Sequence, residues 1–139
     1  MVTSDQIVAA ARGWIGTPYH HQGRSAFGMD CVGLLVMVGR QCGVFPRGFD
    51  YADYGRSPTG QLDALLARHL ERVADPVPGV VVSIRWWKQS HHVGIVAEHG
   101  GVLTMVHALQ QLGGVREQRM DERMRKRITG CYAFPGVVS

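Results

Sequence analysis

The chain has 139 residues, of which 45% are hydrophobic and 19% are charged, and its formal net charge is +4 at pH 7. These values predict a single globular domain over residues 1–139 and exclude a disordered chain. No apolar run is long enough to span a membrane, and residues 1–6 lack the basic and apolar regions of a secretory signal, so we expect cytoplasmic synthesis without a signal peptide.

The cysteine and charge content narrows the class of protein further. The chain has three cysteines, Cys31, Cys42 and Cys131. Because this number is odd, at least one thiol stays free, and no disulfide framework is implied. If Cys31 and Cys42 lie on one helix, they are roughly 16 Å apart, which is beyond the range of a disulfide. The basic balance indicates an anionic partner or surface, but it does not distinguish nucleic acid from cell wall.

The first predicted element is a helix that begins after Thr3 or Ser4 and runs to about Trp14. Thr3 or Ser4 can cap this helix, and apolar side chains recur after them at helical spacing. Glycine and proline then end the pattern. Residues 16–23 form a polar loop just before the next helix, which is a place where functional residues are frequently found.

Residues 28–39 are the stretch around which the chain is organised. This run is apolar on every side, so it predicts a buried helix with Cys31 on its first turn, Asp30 as its N-cap and Gly28 permitting a tight entry. Unpaired N–H groups and the positive end of the helix dipole favour a thiolate there. Cys31 is therefore placed as a nucleophile, and the alternative is a cysteine that only packs in the core.

The remaining chain predicts one more helix and then an antiparallel sheet. Residues 49–55 are expected to form an ordered surface loop, and the helix begins at Ser57 and Pro58 and continues to Val73. Helices first and an antiparallel meander afterwards indicate an α+β fold with the sheet packed on the cysteine helix. The predicted strands are residues 80–87, 92–98 and 102–107, with shorter ones around 115–117 and 128–134.

The hairpin between the second and third of these strands decides whether two histidines can meet. A two-residue loop of His99 and Gly100, or a four-residue loop over 98–101, places His92 directly opposite His107. Side chains that face each other directly have Cβ atoms about 5 Å apart. We therefore expect both imidazoles on one face of the sheet, whereas a three-residue loop would separate them.

Cys31, His92 and His107 together form the pattern of an activated thiol nucleophile. Cys31 would attack a carbonyl carbon, and His92 would take its proton and later return it to the leaving amine. His107 would hold the His92 ring in the useful tautomer. Backbone N–H groups at the helix start, helped by Tyr19, would stabilise the oxyanion.

The competing interpretation is a zinc site, because the chain has seven histidines and three cysteines. No pair of them shows the spacing typical of zinc ligands, and adjacent histidines alternate faces in a strand. We therefore expect no metal. The remaining histidines are taken as solvent-facing polar residues, namely His20, His21, His69, His91 and His99.

Four segments in register resemble the NlpC-type cysteine peptidases, a papain-like group that hydrolyses peptidoglycan stem peptides. They are residues 16–19 (Gly-Thr-Pro-Tyr), 30–33 (Asp-Cys-Val-Gly), 92–95 (His-Val-Gly-Ile) and 106–108 (Val-His-Ala). The resemblance implies a papain-like α+β fold in which N-terminal helices, including the nucleophile helix, pack on an antiparallel sheet. It also implies a triad of Cys31, His92 and His107, with Tyr19 lining the site and neither a metal nor an organic cofactor.

The resemblance further implies a substrate and a setting. The reaction typical of the family cleaves the bond between γ-D-glutamyl and a diamino acid such as meso-diaminopimelate. Residues 51–55, 84–86 and 127–135 look like the branch that phages and gene transfer agents carry at the tail tip. The expected partners are peptidoglycan stem peptides and phage-like tail-tip or hub proteins, not nucleic acid, and the expected place of action is the periplasm or cell wall.

The sequence leaves two questions open. Tyr19, Asp30 and Trp86 are assigned to substrate binding, but strand alternation lets only one of Trp86 and Trp87 face the cleft, and either tryptophan fits. The second question is the role of the site, because fold and triad do not select one reaction. The domain is alternatively a structural tail-tip component with secondary or no hydrolase activity, or an enzyme that acts on another amide or acyl substrate.

Overall fold

The computed structural model describes residues 1–51, 61–85 and 91–138. Its strands are β1 (Arg24–Ser25), β2 (Gly28–Met29), β3 (Glu71–Val73), β4 (Val80–Arg85), β5 (His91–His99), β6 (Val102–Leu109), β7 (Gly114–Arg119) and β8 (Ile128–Ala133). The first two strands form a small hairpin. The other six form one antiparallel sheet in the order β3-β8-β4-β5-β6-β7.

The helices come mainly before the sheet, as the sequence predicts. They are α1 (Ser4–Arg12), α2 (Cys31–Gln41), α3 (Gln61–His69) and the short α4 (Glu122–Arg125), with a 3-10 turn at Gln110–Leu112. Thr3 caps α1 through a capping box with Gln6, in which each side chain bonds the other residue's backbone N–H. Within the described ranges, no helix is both long and apolar enough to cross a bilayer.

The sheet is covered on both faces, which explains why the central strand β4 is buried along most of its length. Alternate residues of a strand point to opposite faces. Val81 therefore packs with the helices α1 to α3, whereas Val82 packs with Met120 and Met124 on the other face. The α+β fold with the cysteine helix packed on an antiparallel sheet is confirmed.

Helix α3 is tied to this sheet by hydroxyl groups that surround one carboxylate. Asp63 Oδ1 accepts hydrogen bonds from Ser83 Oγ at 2.6 Å and from Tyr132 Oη at 2.9 Å. Asp63 Oδ2 accepts from Thr129 Oγ1 at 3.1 Å. Because Ser83 lies on β4 and the other two donors on β8, the carboxylate fixes the start of the helix over two neighbouring strands.

The structure corrects several boundaries of the predicted elements. The second amphipathic helix ends at His69, and Val73 belongs instead to β3, which pairs with β8 as an edge strand. The short elements β1, β2 and α4 have too few residues to show a periodic pattern, so sequence analysis missed them. The predicted helix start at Ser57 and Pro58 and the predicted strand end over 86–87 lie outside the described residues.

Candidate active site

The start of α2 is held by the Asp30 carboxylate, which confirms the predicted N-cap. Asp30 Oδ1 accepts the Gly33 N–H at 2.8 Å, and Oδ2 accepts the Gln22 N–H at 2.8 Å. Arg24 adds an ion pair, with its Nη1 3.2 Å from Asp30 Oδ1. With only 2% of its surface exposed, Asp30 is a buried residue whose bonds fix Cys31 as the first residue of the helix.

Arg24 extends this network to the chain that follows α2. Its Nε donates to Asp50 Oδ1 at 2.7 Å, and its Nη2 donates to the Tyr51 carbonyl at 2.7 Å. The same guanidinium therefore contacts the helix cap and the segment after the helix. Sequence analysis missed Arg24, since an arginine six positions before a cap carries no local signal of that contact.

Glycines let the loop before Cys31 lie directly against the helix. A Cβ on Gly33 would be 2.3 Å from the Gly23 carbonyl oxygen, and a Cβ on Gly23 would be 2.3 Å from the Gly28 oxygen. Gly28 was expected to permit a tight entry into the helix. The structure requires glycine at this position because a Cβ there would lie 2.5 Å from His20 Cβ. Backbone contacts, rather than flexible side chains, thus define the position of the thiol.

Cys31 is half-buried as a residue, and its sulfur lies beside the peptide that joins His92 to Val93. The backbone N–H groups of Val93, Cys31 and Val32 lie near enough to this sulfur to favour its charged form. These donors lower the pKa of the thiol, but burial raises it more strongly, and the Asp30 carboxylate raises it further. The net effect raises the pKa of Cys31 to about 12.

This result corrects the expected electrostatics of the thiol. The helix start was predicted to favour a thiolate, and its N–H groups do act in that direction. The sequence could not show the cost of removing the charged sulfur from water, or that the capping carboxylate would lie close enough to oppose a second negative charge. Cys31 is therefore a neutral thiol at pH 7 in this structure.

The two histidines share one face of the sheet, but in a different register from the predicted one. Ile95 faces Val106 and His99 faces Val102, so the loop is Gly100 and Gly101, and His92 is not directly opposite His107. The shift is by two residues, so the side chains keep the same face and meet diagonally.

Gly94 provides the room for this diagonal contact. Continuing the register of the hairpin by one pair from Ile95 and Val106 puts Gly94 opposite His107. A Cβ on Gly94 would lie 2.6 Å from Sδ of Met105 and 3.1 Å from Cβ of His107. The absence of a side chain at this position lets the His92 ring reach the other imidazole.

The imidazoles are hydrogen-bonded to each other and to a third polar residue. His92 Nε2 lies 2.7 Å from His107 Nδ1, and His107 Nε2 lies 2.8 Å from Gln118 Oε1. His92 is 6% exposed and His107 is fully buried. Gln118 on β7 was missed because the predicted strand was placed at 115–117, one residue short of it.

Burial keeps both rings neutral. It lowers the pKa of His92 to about 3, with a smaller contribution from the neighbouring His107. Burial also lowers the pKa of His107, and the hydrogen bond to Gln118 partly offsets that shift. At neutral pH the Cys31 thiol and both imidazoles are therefore uncharged.

Alkylation of Cys31 should report this protonation state directly. Because only the thiolate reacts, we expect the rate with iodoacetamide to be low at pH 6–7 and to rise about tenfold per pH unit up to pH 9. Peptide mapping by mass spectrometry measures the rate at Cys31, with Cys42 as the internal control. Rapid alkylation of Cys31 that does not change between pH 5 and 7 would show a thiolate–imidazolium pair instead.

The other residues assigned from the sequence take different positions. Tyr19 is half-buried against the main core, and its backbone N–H donates to the Gly113 carbonyl at 3.1 Å. Asp30 was assigned to substrate binding, but both of its oxygens are engaged internally, which favours a positioning role. Trp86 and Trp87 lie outside the described residues.

The remaining histidines are not all solvent-facing. His20 and His99 are exposed as expected, but His21 is half-buried with its Nδ1 3.8 Å from Asp30 Oδ2, and His69 contacts the Phe49 ring. The side chain of His91 is not among those described. Within the described part of the chain, no three His, Cys, Asp or Glu side chains are grouped so that they could hold a metal ion.

A thiol at a helix start, near the backbone of a strand that carries one of two paired imidazoles, resembles the layout of thiol hydrolases in which histidine activates cysteine. Residues 16–132 match the model of the NlpC/P60 family, and the chain belongs to that family of peptidoglycan-cleaving cysteine peptidases. None of the curated proteins matches the chain.

Two solved structures have the same fold. The NlpC/p60 domain of the peptidoglycan hydrolase SagA superposes with a TM-score of 0.62 at 21% identity, and the match covers 95% of this chain and 99% of that one. An NlpC/P60 family protein from Bacillus cereus superposes with a TM-score of 0.68 at 18% identity. That match covers 95% of this chain but only 40% of the Bacillus protein.

Proposed function

We propose that this protein is a thiol endopeptidase that hydrolyses amide bonds in peptidoglycan stem peptides. Cys31 is the nucleophile, His92 the general base and then the general acid, and His107 the residue that orients His92. The observation that carries the proposal is the buried pair of imidazoles, 2.7 Å apart, next to the peptide that contacts the Cys31 sulfur. Membership of the NlpC/P60 family supports the same assignment.

The reaction follows from the atoms that these residues offer. The Cys31 sulfur attacks the carbonyl carbon while its proton passes to His92. Collapse of the tetrahedral intermediate breaks the C–N bond, and His92 gives that proton to the leaving amine. Water then hydrolyses the thioester with His92 as base, which releases the acid and restores the thiol.

The oxyanion of the tetrahedral intermediate is assigned to the first turn of α2. Gly33 N–H is engaged by the cap, and Leu34 N–H bonds the Asp30 carbonyl at 3.0 Å. The N–H groups of Cys31 and Val32 lie near the sulfur, so they are close to the carbonyl oxygen of a substrate that is attacked there, and negative charge develops on that oxygen. These donors sit at the positive end of the helix dipole, so they stabilise that charge without reorganisation.

The proposed substrate is the bond from γ-D-glutamyl to a diamino acid such as meso-diaminopimelate. The resemblance of the four sequence segments to NlpC-type peptidases supports this choice, and the SagA domain of similar fold is named as a peptidoglycan hydrolase. We assign Tyr19 and Trp86 to substrate binding, Tyr19 because it lies in the loop before the small hairpin that leads to Cys31. Neither a metal nor an organic cofactor takes part in the proposed reaction.

Replacing Cys31 by alanine should abolish hydrolysis. We expect Cys31→Ala to release less than about a thousandth of the amine that the wild-type protein releases from purified sacculi or from a γ-D-glutamyl–diaminopimelate peptide, because no nucleophile is left. Cys42→Ala is the matched control, since this second half-buried thiol lies at the opposite end of the same helix. Product analysis by mass spectrometry identifies the bond that is cut.

The outcome that contradicts the proposal is equally clear. Undiminished release by Cys31→Ala, or no release by the reduced wild-type protein from a panel of stem peptides, would remove the peptidase assignment. Cleavage of a different amide in that panel would keep the thiol mechanism and change the substrate.

We further propose that the domain is carried at the tail tip of a phage-like particle, bound to tail or hub proteins, and acts in the periplasm or cell wall to aid penetration of the wall. The likeness of residues 51–55, 84–86 and 127–135 to that branch of the family supports this setting. Particles that carry Cys31→Ala should assemble normal tails and inject poorly. If they fail to assemble instead, the domain is a structural tail component.

A further inference from the structure

We propose that Gln118 is a positioning residue that determines which ring nitrogen of His92 carries a proton and which is unprotonated and able to accept the thiol proton. The inference deepens the proposed function and rests on it, since the unprotonated nitrogen matters to catalysis only if Cys31 is the nucleophile. It assigns to β7 a part in the site that the sequence did not indicate.

The starting observation is that both nitrogens of the buried His107 ring are engaged. Its Nδ1 is 2.7 Å from His92 Nε2, and its Nε2 is 2.8 Å from Gln118 Oε1. A neutral imidazole has one N–H donor and one acceptor nitrogen, so His107 must donate one of these two hydrogen bonds and accept the other. The polarity of one bond therefore fixes the polarity of the other.

The hydrogen bond to Gln118 determines which of the two bonds His107 donates. Its Oε1 can only accept, so the proton of His107 is on Nε2 and the lone pair is on Nδ1. His92 must then carry its own proton on Nε2, which donates to His107 and leaves Nδ1 with a lone pair. Nδ1 is the ring nitrogen nearer the backbone, and the Cys31 sulfur contacts the next peptide N–H along β5.

The opposite orientation of the Gln118 amide would reverse every step. An amide N–H facing His107 would place the His107 proton on Nδ1, and that proton would donate to His92 Nε2. His92 would then carry its proton on Nδ1, and that nitrogen could not accept a proton from the thiol. The side chain at position 118 thus selects between a competent and an incompetent tautomer.

Position 118 is also well placed to hold its side chain in this role. Gln118 faces Met105 in the β6–β7 ladder, so it lies diagonal to His107 on the same face of the sheet. Gln118 is half-buried, whereas its neighbours Arg119 and Arg116 are exposed. The glutamine therefore reaches His107 from a neighbouring strand rather than from a loop.

The tautomers can be read in the free protein by 15N NMR of the histidine rings at pH 7. We expect protonated Nε2 and unprotonated Nδ1 for both His92 and His107 in the wild-type protein. In Gln118→Leu the buried His107 Nε2–H loses its acceptor, so the population with unprotonated His92 Nδ1 should fall by about ten- to a hundredfold. Gln118→Glu, which can only accept, should keep the wild-type tautomers.

Kinetics with the stem peptide provide the second readout. We expect kcat of Gln118→Leu to fall by about ten- to a hundredfold with KM unchanged, and Gln118→Glu to restore most of it. Gln110→Leu, an exposed glutamine in the neighbouring 3-10 turn, is the matched control and should behave as wild type.

A proton on His107 Nδ1 in the wild-type protein would overturn the inference, as would tautomers and kcat in Gln118→Leu that equal those of Gln110→Leu. Because the NMR measurement needs no substrate, it judges the role of Gln118 independently of hydrolysis. If the tautomers are as expected but no peptide is cleaved, the proposed function is wrong and the role of Gln118 in setting the tautomers is still supported.

Discussion

Asp30→Ala should lower the free energy of unfolding by about 3–5 kcal/mol, a large part of the total for a domain of this size. The substitution removes the N-cap of α2 and leaves the Gln22 and Gly33 N–H groups without their acceptor. It also removes one of the two acidic partners of the largely buried Arg24 guanidinium, which keeps only its ion pair with the more exposed Asp50. Breaking a buried ion pair by removing one partner is costly because the other charge remains.

Urea unfolding at pH 7 measures this loss. Asp121→Ala is the matched control, because Asp121 caps α4 with the same 2.8 Å bond to a backbone N–H but is exposed, so its loss should cost only about 1 kcal/mol. The folded fraction of Asp30→Ala should also lose hydrolysis, since Cys31 is no longer held at the helix start. Equal losses of stability in the two variants would contradict the role of the buried network.

Acidification should destabilise the protein well before its carboxylates titrate. His92 is neutral in the folded state because its pKa is about 3, whereas in the unfolded chain its pKa is about 6.5. The stability that depends on a neutral His92 is therefore complete above pH 6.5 and is lost as pH falls toward 3. Each such imidazole contributes a slope of up to about 1.4 kcal/mol per pH unit in that window.

His107 acts in the same direction, since burial lowers its pKa as well. We expect the free energy of unfolding to fall by about 2–3 kcal/mol from pH 6.5 to pH 4.5 through His92 alone. His92→Gln should reduce this slope, and His99→Gln, at an exposed position on the same strand, should not. Urea unfolding at several pH values in this range gives the slope, and a flat stability curve for the wild-type protein would show that the rings are protonated in the folded state.

The elements with long periodic patterns could be predicted from the sequence. The apolar run after Asp30 predicts α2 with Cys31 as its first residue, and the structure has this helix and this cap. The strands with β-branched runs were found for the same reason. Short elements such as β3 were not, because three residues carry no period and their pairing with a distant strand is a tertiary property.

The hairpin register shows how a local signal can be overlooked. The loop is Gly100 and Gly101 with φ of 60° and 82°, and two central residues with positive φ are what a tight hairpin turn requires. A loop of His99 and Gly100 would have placed a histidine in that conformation. The glycine pair therefore indicated the observed register, and the predicted loop placed the turn one residue too early.

By itself, the sequence determined which residues we propose to carry the chemistry, because the helix cap, the alternation of the strands and the order of the motifs are local properties of the chain. It also determined that both imidazoles share one face, since a shift of two residues preserves the side of a strand. The tertiary structure alone decided the protonation of the thiol and of the histidines, because burial and the position of Asp30 depend on how helix and sheet pack. It also decided that Gln118 joins the site, because a hydrogen bond between side chains on neighbouring strands depends on packing across the sheet.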